Sequence, residues 1–400
     1  MTGWADSTLG EACEIYQPKT ISTKEMMSDG AYPVFGANGI IGSYDKFNHE
    51  EPQLLVTCRG ATCGSVNISL PKSWITGNAM VVRPRKENIS IGFLEYFFRG
   101  ACDFTKVITG SAQPQITRQT FSPVKIKIPP LPEQQRIVAI LDEAFAGLAV
   151  AAANSEKNQK NAREVFESYL DAAFTKKSLG WEEGNFGDSG LLQIIDGDRG
   201  SNYPKKSDFS NEGYCLFLNT KNVRPDGFSF YETMFISEEK DRSLRKGKLK
   251  RRDVLLTTRG TIGNIAIYDD SVPYSDVRIN SGMLVFRPNE KRLLSEFLFE
   301  VLRSSIFKTQ VQKNVSGAAQ PQLPIGTIVK FSLPVPKDLG VQRQLVEQSK
   351  SMLLEIAALE SIYRQKLAVI AELKQALLQK AFSGELTKDL RPELEAIGRA

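Results

Sequence analysis

The sequence predicts an α+β chain: two mixed α/β modules of short strands and helices, related by an internal repeat and separated by two long antiparallel, coiled-coil-like helices. Three observations lead to this class. The phrase Thr257-Thr258-Arg259-Gly260-Thr261-Ile262-Gly263 echoes Thr57-Cys58-Arg59-Gly60, with Gly64 soon after, roughly 200 positions earlier, and a spaced echo marks a duplication. A long uninterrupted helical stretch follows each strand-rich half. The 400 residues exceed one ordinary core and divide naturally into two modules with connecting helices.

The echo extends outward in order. Gly3-Trp4 with Leu9-Gly10 answers Gly180-Trp181 with Phe186-Gly187, and Met80 to Pro84 answers Met283 to Pro288. Phe93-Leu94 with Arg99 matches Phe297-Leu298 with Arg303, and Gly110-Ser111-Ala112-Gln113-Pro114-Gln115 matches Gly317-Ala318-Ala319-Gln320-Pro321-Gln322. Each copy closes on a Pro-bounded strand, a Gln-Arg pair (Gln135-Arg136, Gln342-Arg343) and a helix ending at Ala173-Phe174-Thr175 or Ala381-Phe382-Ser383.

Residues 1–130 form the first module. Leu54-Leu55-Val56 and Ala79 to Val82 read as buried strands, Gly36, Gly39 and Gly42 as turn residues, 93–98 as a helix with an aromatic inner face, and Val124 to Ile128 as an edge strand. Residues 131–178 are a helical spacer whose first turn suits Pro132 and Glu133. Ile137, Leu141, Ala144, Leu148, Ala151, Ser155, Asn158, Ala162, Val165, Tyr169 and Ala172 follow the three-and-four spacing of a coiled-coil seam. Residues 179–336 repeat the module, with an insertion before the Arg-Gly turn and a turn-rich loop from Asp196 to Pro204. Residues 337–384 form the distal helix, its seam running through Leu345, Ser349, Met352, Ile356, Leu359, Tyr363, Lys366, Ile370, Leu373 and Leu377, and residues 385–400 are a tail. Polar Ser155 and Asn158 at mid-seam suit the register-setting position of a helix pair. The competing arrangement packs each helix on its own module.

Net charge is only +5, but its distribution is uneven: Arg242, Arg245, Lys246, Lys248, Lys250, Arg251 and Arg252 crowd one segment, and Arg83, Arg85 and Lys86 make a smaller cluster. Such patches neutralise phosphates. No apolar run approaches the roughly 18 residues of a membrane span, the longest being Ala144 to Ala153, and no basic leader precedes an apolar stretch. A cytoplasmic chain without a membrane is therefore expected. Cys13, Cys58, Cys63, Cys102 and Cys215 show neither disulfide nor zinc spacing, so they are expected as reduced thiols.

Catalytic groups are hard to assemble. His49 is the only histidine, which removes His-dependent triads and most metal sites, and its polar neighbours Asn48 and Glu50 place it on the surface. A G-x-x-x-x-G-K phosphate loop is absent. Asp226, Glu238 and Lys240 resemble the acidic pair and lysine of many nucleases, though residues this abundant give such matches often. Two partly basic, non-catalytic modules on a helical spacer suit duplex DNA, where half-sites recur one helical turn, ~34 Å, apart. A coiled-coil scaffold with no DNA role is a third reading.

The duplicated Gly-Trp/Leu-Gly opening, the Asp-Gly-Asp-Arg-Gly-Ser-Asn-Tyr-Pro loop, the Thr-x-Arg-Gly-x-x-Gly turn and the lead-in from Pro130 to Arg136 together resemble the specificity subunit of type I restriction–modification systems over essentially the whole chain. The resemblance implies two target-recognition domains, each reading one part of a split double-stranded DNA site. It also implies that catalysis lies on partners: two methyltransferase (M) subunits carrying S-adenosylmethionine, and restriction/translocase (R) subunits using ATP and Mg, with no cofactor bound by this chain. The second helix lead-in, Pro336 to Arg343, lacks the Glu-Gln of the first, so partner contacts at that end are expected to be unequal.

Residues shared by the copies should hold the fold or grip phosphate, whereas unshared ones should read bases. The DNA-facing candidates are Arg59, Gln113, Arg199, Asn202, Lys205, Lys221, Arg245, Lys246, Lys248, Arg251, Arg259 and Gln320. Gln113 and Gln320 fall in a shared loop and are expected to be structural or phosphate-facing. Base readers are expected in Asn202 to Asp208, Asn219 to Arg224 and Tyr32 to Asn38. The helix pair should meet through Leu141, Leu148, Asn158, Val165, Met352, Ile356, Leu359, Tyr363 and Leu373.

Overall fold

The computed structural model describes residues 3–36, 38–110, 112–175, 180–225, 227–317 and 321–388; residues 176–178 of the expected spacer and 389–400 of the tail lie outside them. Residues 1–156 with 364–400 form one compact unit and residues 157–363 the other. Each unit therefore takes a share of both long helices, Leu131–Thr175 and Leu339–Ser383.

The repeat is a repeat of topology. In the first unit Cys13–Tyr16, Ala79–Pro84, Leu54–Thr57 and Val66–Ile68 lie in that order in an antiparallel sheet. Leu192–Asp196, Met283–Pro288, Val254–Thr257 and Ile265–Ile267 do the same in the second. A three-stranded sheet accompanies each: Gly39–Tyr44, Tyr32–Gly36 and Trp74–Ile75 in one, Phe235–Ile236, Cys215–Leu218 and Val277–Ile279 in the other, the last pair being parallel in both. A ribbon of Ala5–Thr8 with Lys125–Ile128 matches Trp181–Asn185 with Ser332–Pro336.

This layering explains why the central strands are apolar without alternation. Leu54 and Val56 face the helical core with Phe93 and Leu94, whereas Leu55 faces the three-stranded sheet with Phe35 and Ile75. Val254 and Leu256 lie in one core of the second unit and Leu255 in another. A strand covered on both faces has no side left for polar residues.

The long helices are shared in a regular way. Ile137 and Leu141, near the start of the first, and Leu378 and Ala381, near the end of the second, enter the core around Phe93. Phe166, Leu170 and Phe174 of the first and Val346 and Ile356 of the second enter the core around Phe297. Each helix thus packs on the module it follows through its beginning and on the other module through its end, so neither simple arrangement holds alone. The segments run antiparallel within the second unit, where Arg163 pairs with Glu360 and Tyr169 OH donates to Gln348 Oε1 at 3.0 Å.

The seam differs from the heptad pattern. Leu141 is buried, Leu148 and Tyr363 are half-buried, and Met352 and Ile356 pack on the second core. Asn158 is exposed, however, and Val165, Leu359 and Leu373 are 58%, 42% and 45% exposed. The stripe continues instead through Ser155, Ala162, Phe166, Leu170 and Phe174. A straight helix turns every ~3.6 residues and drifts from a 3.5-residue seam, so a strict heptad places Val165 one residue early. Ser155 needs no partner helix for its hydroxyl, which donates to Ala151 O at 2.8 Å.

The helix starts are bracketed by a glutamine. Gln134 is fully buried, accepts from Ser90 N at 2.8 Å and donates to Asn88 O and Pro129 O at 2.9 and 2.8 Å. Gln342 repeats this, accepting from Leu294 N at 2.9 Å and donating to Arg292 O and Pro336 O, both at 2.8 Å. The counterpart of Gln342 is therefore Gln134 and not Gln135, and the second lead-in keeps the glutamine. What it lacks is Glu133, which is buried and accepts from Thr387 Oγ1 at 2.6 Å.

Contrary to the expectation of no candidate span, the first long helix holds an 18-residue window of mean hydropathy 1.6 and by length and composition could cross a membrane. Ile137 and Leu141 on it are fully buried in protein core, and Tyr96 OH donates to Asp142 at 2.5 Å. Packing accounts for only part of that apolar content, since 11% of the window is buried.

Matching aromatic pairs close the two cores. Phe382 lies 5.3 Å from Phe93, beside Trp4, and Phe174 lies 5.5 Å from Phe297, beside Trp181. Phe174→Ala should destabilise the second unit by about 3–5 kcal/mol. Hydrogen exchange checks this: protection should fall across residues 180–336 and stay unchanged in residues 3–130.

Candidate nucleic-acid interface

In both units the central strand opens at its C-terminal end into the same pair of loops. After Leu54–Thr57 the chain turns through Gly60 and Gly64 at φ +87° and +92°, and after Val254–Thr257 through Gly260 and Gly263 at +70° and +92°. These left-handed values favour glycine. Each turn is fastened to the Gln-Pro-Gln loop by main chain: Ile116 N donates to Cys58 O and Leu323 N to Thr258 O, both at 3.0 Å. Gln115 and Gln322 bridge Arg59 and Arg259 in the same way. Arg59, Gln113 and Arg259 therefore stand exposed on a fixed rim. Gln320 lies outside the described residues.

The second unit lays a strip of unshared residues beside Arg259. A Cβ on Gly197 would fall 2.1 Å from Asn280 O, so glycine alone lets the 196–200 loop reach residues 280–282. There Arg199 donates to Ser281 O and pairs with Asp196, both at 3.3 Å, while Arg259 N donates to Gly282 O at 3.2 Å. Asp198, 6% exposed, clips the next turn on: its carboxylate accepts from Gly200 N and Arg245 N at 2.7 Å and from Lys246 N at 3.3 Å. Asn202 Nδ2 adds a bond to Ser243 O at 3.1 Å. On the other flank Thr261 Oγ1 donates to Thr220 O at 3.5 Å, which seats exposed Lys221 near the rim, paired with Glu232 at 3.5 Å.

Arg199, Asn202, Lys221, Arg245, Lys246 and Arg259 are thus drawn to one end of the four-stranded sheet. Lys205 is exposed in a turn whose backbone N is capped by Asp208 at 2.7 Å. Lys248 and Arg251 are not part of the strip. Lys248 Nζ is held by Asp241 at 2.6 Å and Asp276 at 2.8 Å. The Arg251 guanidinium lies 4.3 Å over the Tyr268 ring and donates to Val272 O at 3.1 Å. Arg252, whose ion partners are Glu290 and Glu296 at 3.1 Å, precedes the opposite end of Val254–Thr257. The basic run is therefore one patch in sequence and four environments in space.

The smaller cluster behaves likewise. Arg83 donates to Gln53 Oε1 at 3.0 Å and Tyr16 OH at 2.9 Å, and Arg85 to Cys13 O at 3.1 Å. His49, expected on the surface, is 7% exposed, stacks on Tyr16 and lies 2.8 Å from its hydroxyl; burial, with Arg83 nearby, pulls its pKa down. The nuclease-like set does not converge: Glu238 pairs with Arg242, Lys240 with Asp208 at 3.1 Å, and Asp226 lies outside the described residues. Among the described residues no three His, Cys, Asp or Glu side chains group as metal ligands. All five cysteines are free thiols.

Sequence reasoning found the exposed cations but missed the groups that aim them. Burial opposes ionisation of Asp198, yet the N–H groups of Gly200, Arg245 and Lys246 and the charge of Arg278 outweigh it and hold its carboxyl below the usual range. Arg278, 4% exposed, donates to Asp241 Oδ1 at 2.8 Å and Lys246 O at 2.6 Å. An aspartate before Arg-Gly in a turn cluster was the available signal for the first. Nothing local marks the second.

A family profile described as the type I restriction modification DNA specificity domain matches residues 1–159 and 179–356. The chain is 26% identical over 381 residues to the type I restriction enzyme MjaVIII specificity subunit of Methanocaldococcus jannaschii, covering 90% of this chain and 87% of that one. It is 24% identical over 300 residues to the EcoBI specificity subunit of Escherichia coli, covering 70% and 62%. In fold it is similar to the HsdS subunit from Thermoanaerobacter tengcongensis, with TM-score 0.59, 19% identity and coverage of 96% and 98%. A chain solved in work on complex assembly of the type I R-M system gives TM-score 0.75, 20% identity and coverage of 96% and 99%.

Asp198→Ala should cost about 1.5–3 kcal/mol, the scale of hydrogen bonds to a charged group, and free the 245–246 turn. Because the folded carboxyl titrates below its unfolded value near 3.8, its contribution is complete above about pH 4 and is lost as pH falls through the folded value. Denaturant unfolding between pH 3 and 7 checks both: the variant should lose most relative stability at neutral pH and least at the acid end.

Proposed function

The chain belongs to the type I restriction modification DNA specificity family, and on that premise we propose that it selects an asymmetric, split DNA site, one half read by each module, and positions adenine methyltransferase subunits over it. The observation that carries the reading is the paired rim: Arg59 and Arg259 are set by the same main-chain bridges, while the loops beside them differ between the units. Equal grips suit phosphate, which is the same everywhere on a duplex, and unequal loops suit two different base sequences.

Two methyltransferase subunits and restriction subunits complete the assembly in this reading. Exposed apolar residues on the helices support such docking: Leu354, Leu359 and Ile362 in the second unit, Val150, Val369 and Leu373 in the first. Helix faces of this kind are where partner chains bury area. S-adenosylmethionine, ATP and Mg belong to the partners, this chain supplies no catalytic group, and the complex works in the cytoplasm beside its DNA. The nuclease alternative has no support, since Glu238 and Lys240 have other partners.

Genome-wide detection of methylated bases, in a host expressing this chain with its methyltransferase subunit, tests the reading. The expected result is a motif of two short defined blocks separated by unspecified bases, absent when the chain is omitted. No new methylation beside a demonstrably active partner contradicts it. For the rim, Arg59→Ala and Arg259→Ala should each weaken DNA binding of the assembled complex across all sequences and lower the salt slope by about 0.9, the value for one phosphate contact.

A further inference from the structure

Resting on the specificity reading above, the rim singles out residues 219–225 and 227–234 of the second unit. The first unit joins Tyr32–Gly36 to Gly39–Tyr44 by a tight turn, whereas the second places these residues between Cys215–Leu218 and Phe235–Ile236. The insertion starts on the rim. Asn280 N donates to Leu218 O at 3.0 Å, and Asn264 Nδ2, just past the Arg-Gly turn, donates to Val223 O at 2.9 Å.

The segment is pinned from beneath. Asn222 is 2% exposed, and its Nδ2 donates to Ser229 O at 3.0 Å and Glu232 O at 2.7 Å, one on each side of Tyr231. Phe228 and Phe230 stack at 5.4 Å, and Phe230 and Phe235 lie 5.2 and 5.7 Å from Tyr274. On this base Tyr231 points outward at 95% exposure, the highest among the described large hydrophobic residues. Lys221 and Arg224 stand exposed beside it, around a surface cavity of about 290 Å³ that Asn222, Ser229 and Glu232 complete.

An aromatic ring held out on a braced loop contributes nothing to the core beneath it. Beside two cations it has the chemistry of a nucleic-acid contact: the ring packs on a thymine methyl, the hydroxyl reaches a base edge, and an arginine fork can read guanine. We propose that Tyr231 and Arg224 determine base preference in the half-site read by the second module, with Lys221 on phosphate and Asn222 as the positioning residue. The first module, with only a tight turn here, reads its own half by other loops.

The test uses the full chain assembled with its methyltransferase subunits and duplex libraries randomised in one half-site at a time. Tyr231→Ala and Arg224→Ala should each relax discrimination about tenfold at one or two base pairs of a single half-site, the same half for both, and leave the other half unchanged. Lys221→Ala should lower methylation of all sequences alike and reduce its salt dependence. Tyr231→Ala trims an exposed side chain, so thermal unfolding should match the parent. Unchanged preference in both halves, or a uniform loss with Tyr231→Ala, overturns the proposal and leaves the specificity reading standing. A parent assembly with no preference for any split site sinks both.

Discussion

Main-chain pairing between the Arg-Gly turn and the Gln-Pro-Gln loop is the constraint on which the rest depends. The Arg-Gly turn ends a buried strand and the Gln-Pro-Gln loop lies between two helices, so their amide groups need partners that regular structure does not supply. They find them in each other, through Cys58 with Ile116 and Thr258 with Leu323. Because that bond is made by backbone, it survives wide sequence drift between the copies. It fixes where Arg59 and Arg259 emerge, and with them the rim that we propose meets the phosphates of a duplex.

Buried polar side chains do comparable work where backbone alone cannot. Gln134 and Gln342 each satisfy one donor and two acceptors where a strand gives way to a long helix. Asp198 gathers three amides and Asn222 two carbonyls at the rim of the second unit. Leaving such buried groups unpaired is costly, which makes each one a hinge on which exposed loops are aimed. On the proposed reading, the exposed cations can change to suit a different sequence while the supports beneath them stay.

Much of this was legible in the sequence, and for a physical reason. A duplication conserves the order of glycines with forced φ, apolar strands and paired aromatics, so the two modules, the central strands and the Arg-Gly turns could be placed from spacing alone. The helix seam was legible only in part. Apolar positions fix a helix face over a few turns, but Asn158 and Val165 required extrapolation over many, and the difference between 3.5 and 3.6 residues per turn accumulates. The basic run failed differently: Lys248 and Arg251 have the same charge as Lys246, and only the fold decides which of them meets Asp241, Tyr268 or solvent. His49 likewise sits between polar neighbours in sequence yet beneath Tyr16 in space. Asn222 fell in a loop expected to read bases and is instead a buried brace, and Arg278 gave no signal, because the value of a buried polar group lies in partners that only the fold brings to it.

The central claim is that each module reads its own half of a split site. The most direct measurement replaces residues 181–336 with the corresponding module of the MjaVIII specificity subunit and maps methylated bases in a host supplying the partner methyltransferase. One block of the motif should change while the other stays as in the parent chain. A change in both blocks, or in neither, would contradict the division of labour between the modules.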